Sequence, residues 1–103
     1  MIYQETSVIL HPDKVAAYLE GSKNLYPIFE KFGAKIVGSW STVIGNTNEF
    51  TVLIAYENMG QLEKSAMAMM QDKDYQATWQ KISPFVMSHT RKLMMSVAGS
   101  PLK

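Results

Sequence analysis

The residues able to do chemistry are few and widely separated. His89 and Arg91 stand two apart, and in a strand that spacing puts both on one face, an imidazole beside a guanidinium, able to hold an anion or move a proton. The plainer role for such a pair is a sheet rim or subunit seam, with the arginine bound to a carboxylate or carbonyl. Tyr3, Trp40, Tyr56 and Trp79 form an aromatic set that can stack on a flat ligand between a sheet and its helices, although aromatics at element spacing more often fill a core. Met59, Met67, Met69, Met70, Met94 and Met95 supply flexible thioethers that line an adaptable pocket or fill an irregular core, filler being the commoner use. Nothing else qualifies. There is no phosphate loop, GxGxxG, GxSxG or HExxH motif,. His11 is remote from His89 and cysteine is absent, so no metal site is expected. Glu63, Asp72 and Asp74 are single carboxylates of the kind that cap helices or sit in solvent. The candidate ligand-binding residues are therefore Tyr3, Trp40, Tyr56, Trp79, His89 and Arg91, with His89 the one candidate catalytic group, and no cofactor is called for.

Composition narrows the partners. The chain has 103 residues, enough for a single core,. Lys plus Arg number 10 against 9 for Asp plus Glu, and only Arg91 and Lys92 are adjacent among the basic residues, which disfavours nucleic acid. The opening MIYQETSVIL lacks the basic and apolar regions of a leader, and no run of apolar residues is long enough to span a bilayer,. These features read as a soluble, cytoplasmic protein with one domain over residues 1–98 and a tail over 99–103.

The elements that must position the candidate groups centre on a hairpin. Ala34 to Glu57 holds two runs rich in β-branched and aromatic residues, joined by Gly45-Asn46-Thr47-Asn48,. Before it, Ile2–Leu10 reads as a strand ended by His11-Pro12-Asp13, where a helix begins. Val15, Tyr18, Leu19, Ser22, Leu25, Tyr26, Phe29 and Phe32 give its apolar face and Gly33 its C-terminal stop,. Pro27 predicts a kink, or a break near Gly21-Ser22. After the hairpin, Asn58 with Gln61 predicts an N-cap for a helix through about Met70, and a second segment carries Tyr75, Trp79 and Ile82 to Ser83-Pro84,. Met87 to Val97 is the last strand.

The order strand, helix, strand, strand, helix, strand predicts an α+β, ferredoxin-like βαββαβ fold: a four-stranded antiparallel sheet with two kinked helices on one face. Two helices cover one face only. The hairpin strands carry large apolar groups on both: Ile36, Trp40 and Ile44 on one parity, Val37 and Val43 on the other, and Leu53 against Phe50, Val52 and Ile54. An uncovered apolar face is disfavoured in a soluble monomer, so a homodimer packed sheet on sheet is expected.

Ile2-Tyr3, Leu10-x-Pro12-x-Lys14, Gly38-x-Trp40, Gly45, Asn48, Tyr56, Asp72, Tyr75 and Lys81-Ile82-x-Pro84 occur in an order and spacing that resembles the NIPSNAP family, within the dimeric α+β barrels. The resemblance covers nearly the whole chain. It implies a ferredoxin-like subunit whose sheet joins that of a twin to close a barrel with helices outside. It also implies polar groups that this chain lacks: an arginine at Thr6, a histidine at Val52, a tryptophan at Ile54, and arginines at Leu62 and Ala66. NIPSNAP proteins have no settled reaction, so the resemblance implies a small dimeric module that binds a small apolar or aromatic molecule or another protein. The alternative, by analogy with other dimeric α+β barrels, is a cofactor-independent oxygenase in which Trp40 and Trp79 hold an aromatic substrate and His89 handles a proton, or a haem-binding variant with His89 as ligand.

Overall fold

The computed structural model describes residues 1–102. Its sheet is built from β1 (Ile2–Leu10), β2 (Lys35–Ser41), β3 (Glu49–Tyr56) and β4 (Val86–Met95), ordered β2-β3-β1-β4 with every neighbouring pair antiparallel. This is the ferredoxin-like arrangement expected from the order of elements. The helices are α1 (Val15–Ser22), α2 (Leu25–Lys31), α3 (Met59–Met70) and α4 (Lys73–Ile82), with 3-10 turns at Pro12–Lys14 and Ser83–Phe85.

Each of the two expected kinked helices is thus a pair of separate helices. Lys23 and Asn24 form a turn between α1 and α2, so Pro27 falls in the first turn of α2, where its missing amide has no partner to lose. The Lys23 carbonyl accepts from the Tyr26 amide and is not freed for a ligand. At the other end of α2, Gly33 has φ +92°. Its amide bonds to the Glu30 carbonyl and the Ala34 amide to that of Phe29, the paired bonds of a Schellman motif,. The second break is made by a cap: the Asp72 carboxylate accepts from the Tyr75 amide at 2.9 Å and starts α4,. The expected cap of α3 is present as well, with Asn58 Oδ1 accepting from the Gln61 amide at 2.8 Å. The Gln61 side chain accepts from the Glu57 amide and donates to the Gly33 carbonyl, tying the start of α3 to the end of α2.

The hairpin differs from expectation in two ways. First, β2 ends at Ser41 and a loop runs through Thr42–Asn48, leaving Val43 84% and Ile44 94% exposed at its tip. Asn48 explains the position of the loop's far end: its side chain donates to the Leu10 carbonyl at 2.8 Å, while its own carbonyl accepts from the Leu10 amide. Second, the β2–β3 register shifts between Ile36, opposite Ile54, and Gly38, opposite Leu53. The extra residue, Val37, inverts the alternation. Ile36 therefore faces the helices, whereas Trp40, opposite Thr51, faces the other way. Its indole lies over Gly38, where a Cβ would come within 2.8 Å of the ring; that close approach accounts for the Gly-x-Trp spacing.

The core lies between the sheet and all four helices. Val8 and Leu10 of β1, Phe50, Val52, Ile54 and Tyr56 of β3, Tyr18 and Leu25 of the first helix pair and Ile82 of α4 form one buried cluster. No helix or strand among the described residues covers the opposite face, which carries Glu5, Ser7, Ile9, Thr51, Leu53, Trp40, Lys92 and Met94. Among the described residues no helix is long and apolar enough to cross a membrane.

Candidate functional site

Between the sheet and the helices lies a cavity of about 450 Å³, within the size range of small-molecule sites. It exists because the middle of β1 is made of short or polar residues. Gln4 and Thr6 point inward on the parity of Val8, and Val52 stands opposite Thr6 on β3, so the sheet floor is shallow while the helices are held off by bulky rings. Tyr18 packs edge-on against Phe50 with ring centres 5.7 Å apart, and Phe29 against Tyr75 at 6.5 Å. These pairs prop the roof.

The lining is segregated. Gln4, Thr6, His89 and Arg91 make a polar stripe along β1 and β4, with Gln4 Nε2 donating to Thr6 Oγ1 at 3.3 Å. Arg91 lies directly opposite Thr6 and His89 opposite Val8. Because β4 is the sheet edge, both side chains are exposed and form the rim. Apolar groups take the rest: Phe50, Val52 and Ile54 from β3 and Leu62, Ala66 and Met69 from α3. No carboxylate lines the space, and Arg91 has no acidic partner among the described residues.

Four tyrosines reach the wall, Tyr18, Tyr26, Tyr56 and Tyr75. Burial, with smaller contributions from Tyr26 and Tyr75, pushes the Tyr18 phenol up to about 12. Burial also raises Tyr56, against an opposing pull from Arg91 and with a further rise from Tyr75,. Both are therefore neutral hydroxyls at physiological pH, offering hydrogen bonds without charge. The Tyr26 hydroxyl is committed to Ser39 Oγ at 2.7 Å. No buried side-chain polar atom lacks a partner, and the Tyr18 and Tyr56 hydroxyls form no hydrogen bond within the protein among the described residues, which leaves both open to the cavity.

Of the six residues expected from the sequence to bind a ligand, the structure brings together Tyr56, Trp79, His89 and Arg91. Tyr3 and Trp40 lie on the opposite sheet face. Tyr3 has odd parity on β1 and sits between Ala55 and Met94, its cross-strand neighbours; Trp40 is turned away by the bulge at Val37 and is 53% exposed. Met69 lines the cavity from a buried position and Met70 from a largely exposed one, whereas Met59 and Met67 face solvent. Tyr18, Ser22 and Tyr26, whose spacing predicts only a core face, are wall residues. Their signal was present: they recur every four residues as a polar-tipped stripe within an apolar helical pattern. The polar inward parity of Gln4 and Thr6 was a second signal. All five positions where the family resemblance implied a polar or larger group, Thr6, Val52, Ile54, Leu62 and Ala66, line this one cavity. Their smaller or apolar side chains leave the space open and leave its only guanidinium on β4.

Comparisons with known proteins bear on the fold and the family. Among curated proteins none matches the chain. Solved structures with similar folds include a NIPSNAP domain protein from Burkholderia xenovorans, 19% identical, covering 98% of this chain and 99% of that one at a TM-score of 0.90. A second is a NIPSNAP family protein of unknown function from Agrobacterium tumefaciens, 22% identical, covering 100% and 94% at 0.92. A third, described as a candidate antibiotic biosynthesis monooxygenase from Nitrosomonas europaea, is 14% identical and covers 94% and 99% at 0.74. At these identities the likeness speaks for the fold alone. The NIPSNAP family model matches residues 3–101, and the chain, whose Gly-x-Trp, Asn48 and Asp72 features have local structural reasons, belongs to the NIPSNAP family.

Proposed function

We propose that the protein is a small-molecule-binding module that works as a homodimer and takes an apolar or aromatic ligand into the cavity between sheet and helices. The single observation behind this reading is the cavity itself: about 450 Å³ of space with mostly apolar and aromatic walls and a short polar stripe, in a chain too small to leave such a volume unfilled without cost,. The homodimer rests on the uncovered sheet face, where Trp40, Leu53, Ile9 and Met94 are interspersed with a Ser7–Thr51 hydroxyl pair at 3.0 Å and a Glu5–Lys92 ion pair at 3.8 Å. A second copy turned about a two-fold axis would bury these groups against their equivalents.

The oxygenase alternative uses the same space. It requires two tryptophans around the substrate, and Trp40 lies across the sheet from Trp79, so a dedicated aromatic clamp has half its parts. Binding is the reading the geometry supports better.

Native mass spectrometry of freshly purified protein tests both halves of the proposal. The expected spectrum has twice the chain mass and an additional non-covalent adduct, and the adduct is lost from Ala66→Trp, which fills the cavity from α3. A clean monomer contradicts the homodimer. An adduct retained by Ala66→Trp contradicts the cavity.

A further inference from the structure

The proposed binding cavity has an asymmetry that says what kind of molecule fits it. Its depth is apolar, with Phe50, Val52 and Ile54 on the floor and Met69 and Trp79 above. Its rim along the edge strand β4 bears the guanidinium of Arg91, the only formally charged group of the lining among the described residues. The ion pairs among the described residues are Lys23–Glu20, Lys31–Asp72 and Lys92–Glu5, none of which borders the cavity. Arg91 has no such partner among the described residues. An arginine held over an aromatic cavity without a carboxylate nearby has five donors to offer and only water to take them. The donors around it have the same polarity: Thr6 directly across the ladder, His89 two residues away on the same face, and the Tyr56 phenol, kept neutral by burial and close enough to feel the Arg91 charge.

Resting on the cavity as the ligand site, we infer that the ligand is an amphipathic monoanion, an aromatic or aliphatic carboxylate, whose apolar body enters between β3 and the helices while its carboxylate stays at the β4 rim on Arg91. A planar carboxylate matches the guanidinium fork, and the exposed rim lets it keep part of its hydration, so the anion is recognised without full desolvation. A neutral aromatic would gain the apolar burial and leave the Arg91 donors to water. A dianion would exceed the single cation available.

Isothermal titration of the intact protein with naphthylacetate and with its neutral analogue naphthylacetamide tests the inference, because the two share the apolar body and differ in the head. The wild type should bind the acetate roughly tenfold more tightly than the amide, the worth of one charge-assisted pair at a partly exposed site. Arg91→Gln should remove that preference, bringing the acetate down to the affinity of the amide. Arg91 is exposed on an edge strand, and an unchanged urea unfolding midpoint shows that the variant folds. Equal binding of both probes by the wild type, or a preference that survives Arg91→Gln, overturns the carboxylate assignment and leaves the cavity reading standing. Failure of both probes to bind the wild type overturns the two together.

Discussion

Tyr18 combines two roles that pull against each other. Its ring props the cavity roof against Phe50, and its hydroxyl faces the cavity from a residue only 5% exposed. Burial raises its ionisation to about 12 from 10.0, and the sign of the consequence for stability follows from linkage. Below pH 10 folded and unfolded chains both hold the proton, and the full stability is present. Between pH 10 and 12 the unfolded chain releases it first, so stability falls as pH rises through that window,. Allowing for the water that reaches the hydroxyl, the loss amounts to about 2 kcal/mol. Urea unfolding at stepped alkaline pH should show this decline in the wild type and a shallower one in Tyr18→Phe; parallel curves would mean that the phenol is not buried. Residue identity alone hinted at this group, since Tyr18 belongs to a helical apolar pattern, but a core tyrosine and a cavity tyrosine have the same spacing. What separates them is the size of the groups across from it, and these come from β1 and β3.

At the scale of elements, the helix caps were the most legible features because they are local. Asn58 and Asp72 bond to amides three residues on, and a three-residue pattern survives whatever the rest of the chain does. The bulge at Val37 was not legible. Gly38 and Trp40 fit a regular strand as well as a bulged one, and only the pairing with β3 decides which side the indole takes. The contact between α1 and α4 was equally hidden. A Cβ at Gly21 would lie 2.5 Å from Ile82 Cγ2, and Ile82 is 1% exposed with no room to retreat. Alanine gains about 1 kcal/mol over glycine in a helix interior, whereas overpacking a close contact costs about 1–3 kcal/mol. Gly21→Ala should therefore destabilise the protein by up to about 2 kcal/mol in a urea titration. A gain in stability would show that the two helices are free to separate.

Across the whole molecule, the sheet separates two surfaces with different purposes, and the two tryptophans stand on opposite sides of it. The βαββαβ order and its antiparallel sheet followed from alternating patterns along the chain. The cavity did not follow, because it is a shortage of volume summed over Thr6, Val52, Leu62 and Ala66, four positions distant in sequence that become neighbours only after folding. On the proposed function, ligand enters on the helix side of the sheet and not on its open face. Trp79 and Trp40 report on these sides separately, so Trp40→Phe and Trp79→Phe each leave a single emitter. Titrating both variants with a nitroaromatic quencher such as nitrobenzyl alcohol should give saturable quenching of Trp79 and only linear, collisional quenching of Trp40. Saturable quenching of Trp40 with a linear response from Trp79 would contradict the account.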